Sequence, residues 1–179
     1  MRAVPSAALS IGLILTAGCQ TDVAVPPPEP PPTLFQAKEP GLLLRMTQAD
    51  AERYLVSGVY GLEAESWRWT AKRAVVRLPM GPVAGLKLVM KFAVPEPVVA
   101  RNGPVRLSVQ VNDHPVEELR YSRDGHYDFE KPVPAERLKA YADNFVSIEI
   151  DKPLPKDVAG RELGFILVYV GLQPLTWKP

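Results

Sequence analysis

The stretch LKLVMKFAV, residues 86–94, decides the fold class. Leu86, Leu88, Met90, Phe92 and Val94 take every second position, with Lys87, Val89, Lys91 and Ala93 between them. A period of two sends alternate side chains to opposite faces of an extended chain, so the segment predicts a strand with one buried face. The same period returns in Val105, Leu107, Val109 and Val111, set between Arg106, Ser108, Gln110 and Asn112. It returns again in Val146, Ile148 and Ile150, and in Ala74–Leu78, which ends at Pro79. Leu163–Leu172 (LGFILVYVGL) is apolar on both faces, as expected of a central or doubly covered strand.

The punctuation fits strands. Asn102-Gly103 and Asp124-Gly125 are turn dipeptides, and Asn112-Asp113-His114-Pro115 reads as a further turn. Strands therefore recur about every ten residues, which suits an all-β, mainly antiparallel sandwich or jelly-roll-like fold. Two short helices are expected beside them. Thr47-Gln48-Ala49-Asp50 has the form of a capping box opening toward Leu55, and Pro134–Ala142 starts with proline at a first-turn position.

The chain has 179 residues, room for one ordinary domain. Its first 18 residues read as an export signal rather than as part of that domain. Arg2 supplies positive charge, and the apolar run Ala7–Ala17 is far shorter than the ~20 residues of a membrane-spanning helix. Residues 19–40 hold the only cysteine, Cys19, and the tract PPPEPPP at 26–32. Such a tract favours extended polyproline II, so at ~3.1 Å per residue it forms a spacer of up to about 60 Å. The folded domain is expected over 41–179.

Beyond the signal, 20 Lys and Arg balance 20 Asp and Glu. No basic surplus remains for a phosphate backbone, so no nucleic-acid partner is expected. A single cysteine cannot close an internal disulfide, and stability must come from packing.

Leu15, Ala17, Gly18 and Cys19 resemble the close of a bacterial lipoprotein signal, with Thr16 where that pattern carries an aliphatic residue. The resemblance implies cleavage after Gly18, a diacylglyceryl thioether on Cys19 and acylation of the new amine. Several acyl chains hold a protein stably on a bilayer where one does not. The implied partner is membrane lipid and the implied location the bacterial cell envelope. Gln20 after the cysteine favours the outer membrane in a cell with two. A catalytic thiol needs a base and a shaped pocket, whereas Cys19 adjoins a proline-rich tract expected to be disordered; an intermolecular disulfide is its other reading.

Gly58, Tyr60, Glu63, Arg68, Trp69, Thr70, Leu78 and Pro79 form a loosely spaced pattern, followed by Val109, Val111, Asn112 and then Arg161–Gly164. It is similar to β-sandwich domains of bacterial glycan-related proteins. The resemblance supports the fold and makes glycan the first candidate ligand.

Trp67 and Trp69 are two apart, so both point to one face of a strand. Exposed, they form a stacking platform for sugar rings; buried, they are core. Arg68 then faces the other way, either to clamp a carboxylate or hydroxyls, or to pair with Glu63 or Glu65. Trp67, Arg68 and Trp69 are the candidate ligand-binding residues. Asp124, His126 and Asp128 lie in DGHYD, but no second histidine or cysteine stands at a recognised spacing, so no metal site is expected. His114 reads as solvated. No Gly-x-Ser-x-Gly elbow is present, and no motif implies a cofactor or a catalytic residue. The leading expectation is a lipid-anchored, non-catalytic module that binds glycan. The alternatives are a structural or assembly lipoprotein that binds an envelope protein, and an envelope hydrolase.

Overall fold

The computed structural model describes residues 42–179. The export segment, Cys19 and the proline-rich linker lie outside the described residues. Nine strands run in chain order: β1 (Leu42–Arg45), β2 (Leu55–Glu63), β3 (Trp67–Met80), β4 (Leu86–Val94), β5 (Val105–Val111), β6 (His114–Tyr121), β7 (Gly125–Pro132), β8 (Ala142–Ile150) and β9 (Ile166–Pro174). One helix, α1 (Glu96–Asn102), joins β4 to β5. Every ladder is antiparallel, as the alternation in the sequence implies.

The strand order is β6-β5-β8-β3-β9-β4-β7, with β1 added on β9 and β2 on β3. β3 links the two layers because it is long enough to serve both. Arg68 and Trp69 pair with β9, whereas Arg73–Met80 pair with β8. β2 runs along the opposite edge of β3, so β8 and β9 follow one another on a single edge. The two end strands then approach each other without a ladder. The rings of Tyr121 on β6 and Tyr127 on β7 lie 4.2 Å apart, and Lys131 pairs with Glu117 across the same seam. The result is an antiparallel sandwich nearly closed into a barrel.

Register explains the core. Leu88, Met90 and Phe92 of β4 stand opposite Leu172, Val170 and Leu167 of β9, and all six are buried. The spacing on β9 changes from two to three because the ladder shifts between Lys91 and Phe92, which leaves Val168 as an extra, bulged residue. Without that bulge the apolar faces would fall out of phase. Phe92 sits at the centre, with Tyr121, Tyr127 and Phe165 at ring distances of 5.5, 5.8 and 6.1 Å. Each such side chain contributes about 1.5–3 kcal/mol by leaving water.

Several local expectations are corrected. The segment after Thr47 forms only a 3-10 turn, Ala51–Tyr54, and Asp50 makes no side-chain cap bond. Gln48 instead accepts from the Arg45 amide and donates to Asp50, which draws one Asp50 oxygen away from the cap. Between Pro134 and Ala142 a 3-10 turn covers Ala135–Arg137 alone, and β8 already begins at Ala142. The true α-helix, α1, lies where none was expected. Asn102-Gly103 is its C-terminus rather than a hairpin, with Gly103 at φ 67 closing on the Val99 carbonyl. The turn after β5 is confined to Asn112 and Asp113, both at positive φ, and His114 and Pro115 already belong to β6.

Candidate functional site

The pattern residues around β2 and β3 fold into one polar cluster. The Tyr60 hydroxyl donates to the Glu162 carbonyl at 3.0 Å, and Arg161 lies 5.5 Å over the Tyr60 ring. Arg161 also reaches Glu63 at 2.7 Å and Asp157 at 2.9 Å. The backbone amide and side chain of Arg161, with the Ala159 amide, outweigh desolvation and hold the Asp157 carboxyl below its usual range. Thr70 donates its hydroxyl to the Phe165 carbonyl and accepts from the Phe165 amide. The Tyr60, Glu63 and Thr70 contacts tie the segment 161–165 to β2 and the start of β3, about a hundred positions away. They are structural staples.

Arg68 belongs to this framework. It is 5% exposed; its Nε donates to the Met46 carbonyl at 3.1 Å, and its guanidinium reaches the Tyr60 carbonyl and, at 2.6 Å, Glu52. The expected ion-pair partners were Glu63 or Glu65. Glu52 takes that place because the 3-10 turn carries it back over β3, while Glu63 is taken by Arg161. With Nε and Nη1 committed to these partners and the side chain buried, Arg68 acts as a strut of the framework.

Trp67 and Trp69 point the other way, since Arg68 and Thr70 between and beside them are buried. Both indoles are half-buried on the outer face. They head two rows of side chains that cross the sheet. In the first row Trp69 stands opposite Ile166, Ile166 opposite Ala93, and Ala93 opposite His126. Continuing the same register sets Trp67 beside the bulged Val168, with Lys91 and its cross-strand partner Asp128 beyond.

Between these rows the surface falls into a hollow of about 560 Å³. Ala93, Ile166 and Val168 of the sheet face supply its apolar floor. Trp67 forms one wall; Pro95 and Glu96 at the start of α1 and the Asp124-Gly125 turn form the other. Lys91 and His126 add polar groups to the lining, of which Trp69 is not a part. Trp67 Nε1 is screened from water and has no hydrogen-bond partner among the described residues. A volume of this size, an apolar floor and a few polar groups are the general features of a small-molecule or oligomer site. Among the described residues, no three His, Cys, Asp or Glu side chains converge to hold a metal ion.

Sequence reasoning singled out Trp67 but not Ala93, Ile166, Val168 or Glu96. The pairing of β3, β9, β4 and β7, with α1 following β4, brings them together.

No family model matches the sequence, and no curated protein matches it. Solved structures give loose likenesses. The chain superposes on part of dimeric latent PorU from Porphyromonas gingivalis with a TM-score of 0.45 at 9% identity, covering 74% of this chain and 12% of that one. A family 35 carbohydrate-binding module from an environmental isolate gives 0.44 at 11% identity, covering 74% and 92%. A family 36 carbohydrate-binding module, from a xylanase of the Trinervitermes trinervoides hindgut metagenome, gives 0.43 at 10%, covering 74% and 96%. At these scores and identities none of them assigns a function to this chain, and its fold class rests on its own strand ladders.

Proposed function

We propose that this chain is a lipid-anchored, non-catalytic β-sandwich module that binds glycan in the hollow beside Trp67. The observation that carries the reading is the juxtaposition of an indole wall with a shallow apolar floor and a polar rim. Sugar rings have apolar C–H faces that stack on an aromatic plane, while their hydroxyls need donors and acceptors at the edge. Trp67 supplies the plane; Lys91, Glu96, Asp124 and His126 supply the edge. The lipoprotein-like close at Cys19 and the proline spacer support attachment to the envelope, with the module held away from the bilayer. Gln20 after the cysteine favours the outer membrane for the proposed anchor in a cell with two membranes.

Titrating cell-envelope polysaccharides while following tryptophan fluorescence tests the proposal. One of them should shift the emission of the wild type and leave Trp67→Ala unchanged, and the glycan should be recovered uncut. Absence of a shift with every envelope polysaccharide would defeat the reading.

A second reading, a module that docks on an envelope protein, has its own observation. β2 is paired on one edge only among the described residues, and Val56 and Leu62 on it are 53% and 40% exposed. Crosslinking from β2 in intact envelopes that recovers one protein partner, independent of Trp67, would favour it.

A further inference from the structure

We propose that the outer face of the β3–β8–β5–β6 layer carries a second binding site, separate from the Trp67 hollow, for an acidic polysaccharide whose carboxylate is held by Arg120. Register builds the site. Arg73 stands opposite Glu149, Glu149 opposite Ser108, and Ser108 opposite Glu118, one row across four strands. At ~4.8 Å between strands this row spans about 14 Å, room for a short run of sugar rings. A hollow of about 320 Å³ lies along it and takes in Gln110 and Ser147. Ser147 is only 7% exposed, yet its hydroxyl meets Gln110 Oε1 at a long 3.4 Å. Both groups are under-committed for hydrogen bonding.

At one end this groove meets a second hollow of about 310 Å³, which shares Arg106 and Asp151 with it and adds Arg120 and Lys152. Here the charges do not balance. Arg106 and Arg120 are direct cross-strand partners, an arrangement that opposes strand pairing. Arg106 is compensated by Asp151 at 3.2 Å and Glu118 at 3.5 Å. Lys152 donates to two backbone carbonyls, of Asn102 and Pro104, and Arg120 has no carboxylate partner among the described residues. An anion seated beside Arg120 would relieve the arginine repulsion and accept a paired hydrogen bond from the guanidinium fork.

The groove selects the class of anion. Along its length Lys72 and Arg73 are offset by Glu118 and Glu149, so it suits hydroxyl-rich rings with an anionic group at one end rather than a dense polyanion. A flat bilayer would reach Arg120 and Lys152 but not the floor around Ser147.

The test is calorimetric titration of the full-length chain in detergent with a polyuronate and with its carboxyl-reduced, neutral counterpart. The polyuronate should bind at least tenfold tighter than the neutral polymer, and added salt should narrow the difference. Arg120→Gln and Arg120→Glu, on an exposed strand position that faces Arg106, should melt no lower than the wild type because a repulsion is relieved, and should lose the preference, while Trp67→Ala keeps it. The proposal is overturned if Arg120→Gln binds polyuronate like the wild type or if both polymers bind equally. It is also overturned if Trp67→Ala abolishes polyuronate binding, which would put the ligand in the other hollow. Arg120-dependent binding to anionic-lipid vesicles without polyuronate binding would assign a headgroup site instead. Because the two hollows are probed by different substitutions, failure here leaves the Trp67 proposal standing, and the converse holds.

Discussion

Replacing Arg68 by methionine separates a strut from a ligand clamp. Methionine keeps much of the apolar stem and removes the guanidinium. The Met46 carbonyl, on a fully buried residue, then loses the Nε donor, and the Tyr60 carbonyl loses its partner as well. A hydrogen bond to a charged donor is worth about 1.5–3 kcal/mol, and an orphaned buried acceptor adds to the loss. The Glu52 contact adds little, because that carboxylate is 70% exposed and screened by solvent. Arg68→Met should therefore cost about 3 kcal/mol, and Glu52→Gln under about 1 kcal/mol. With a urea m-value of about 1.5 kcal/mol/M, the midpoint of Arg68→Met should fall by about 2 M. Circular dichroism against urea measures both variants, and glycan titration at low denaturant reads binding. Near wild-type stability combined with lost binding would refute the strut assignment and restore Arg68 as a ligand residue.

Glycine substitutions test the β2–β3 geometry. Gly58 has φ +66, and a Cβ there would lie 1.8 Å from the Arg73 carbonyl oxygen; Gly85 has the same φ with open space around it. Gly85→Ala should cost about 1 kcal/mol from the backbone alone, and Gly58→Ala should exceed it by about 1–3 kcal/mol, compared by urea denaturation. In acid, Asp157 sets a second expectation. Its folded carboxyl is held below the usual range, so its stabilising contribution is full above about pH 4 and is lost as pH falls through the lower folded value. Melting temperature against pH should fall less steeply in Asp157→Asn than in the wild type. For the anchor, metabolic labelling with a fatty-acid probe should mark the wild type and not Cys19→Ser; equal labelling would end that proposal.

The strands were legible because a period of two survives in Leu86–Val94, Val105–Val111 and Val146–Ile150 without help from tertiary contacts. α1 was signalled by Glu96-Pro97 and by Gly103, but seven residues are too few to establish a helical period, and Asn102-Gly103 competes as a hairpin turn. The bulge at Val168 was hidden because β9 is apolar on both faces, so no polar residue marks the change of phase. The site was half legible. Spacing put Trp67 and Trp69 on one face and Arg68 on the other, whereas the floor residues are assembled by pairings that join positions 67–69, 93, 126 and 166. The partner of Arg68 was misjudged because proximity in sequence favoured Glu63 and Glu65, while the 3-10 turn brings Glu52 over β3.

The central claim is that glycan meets the wall of the hollow at Trp67. The three indole N–H resonances, of Trp67, Trp69 and Trp177, report on it directly in a proton–nitrogen correlation spectrum once assigned with Trp→Phe variants. During titration with the envelope polysaccharide that shifts the fluorescence, the Trp67 resonance should move in a saturable way while Trp177 stays fixed. A stationary Trp67 resonance at saturating glycan would contradict the account.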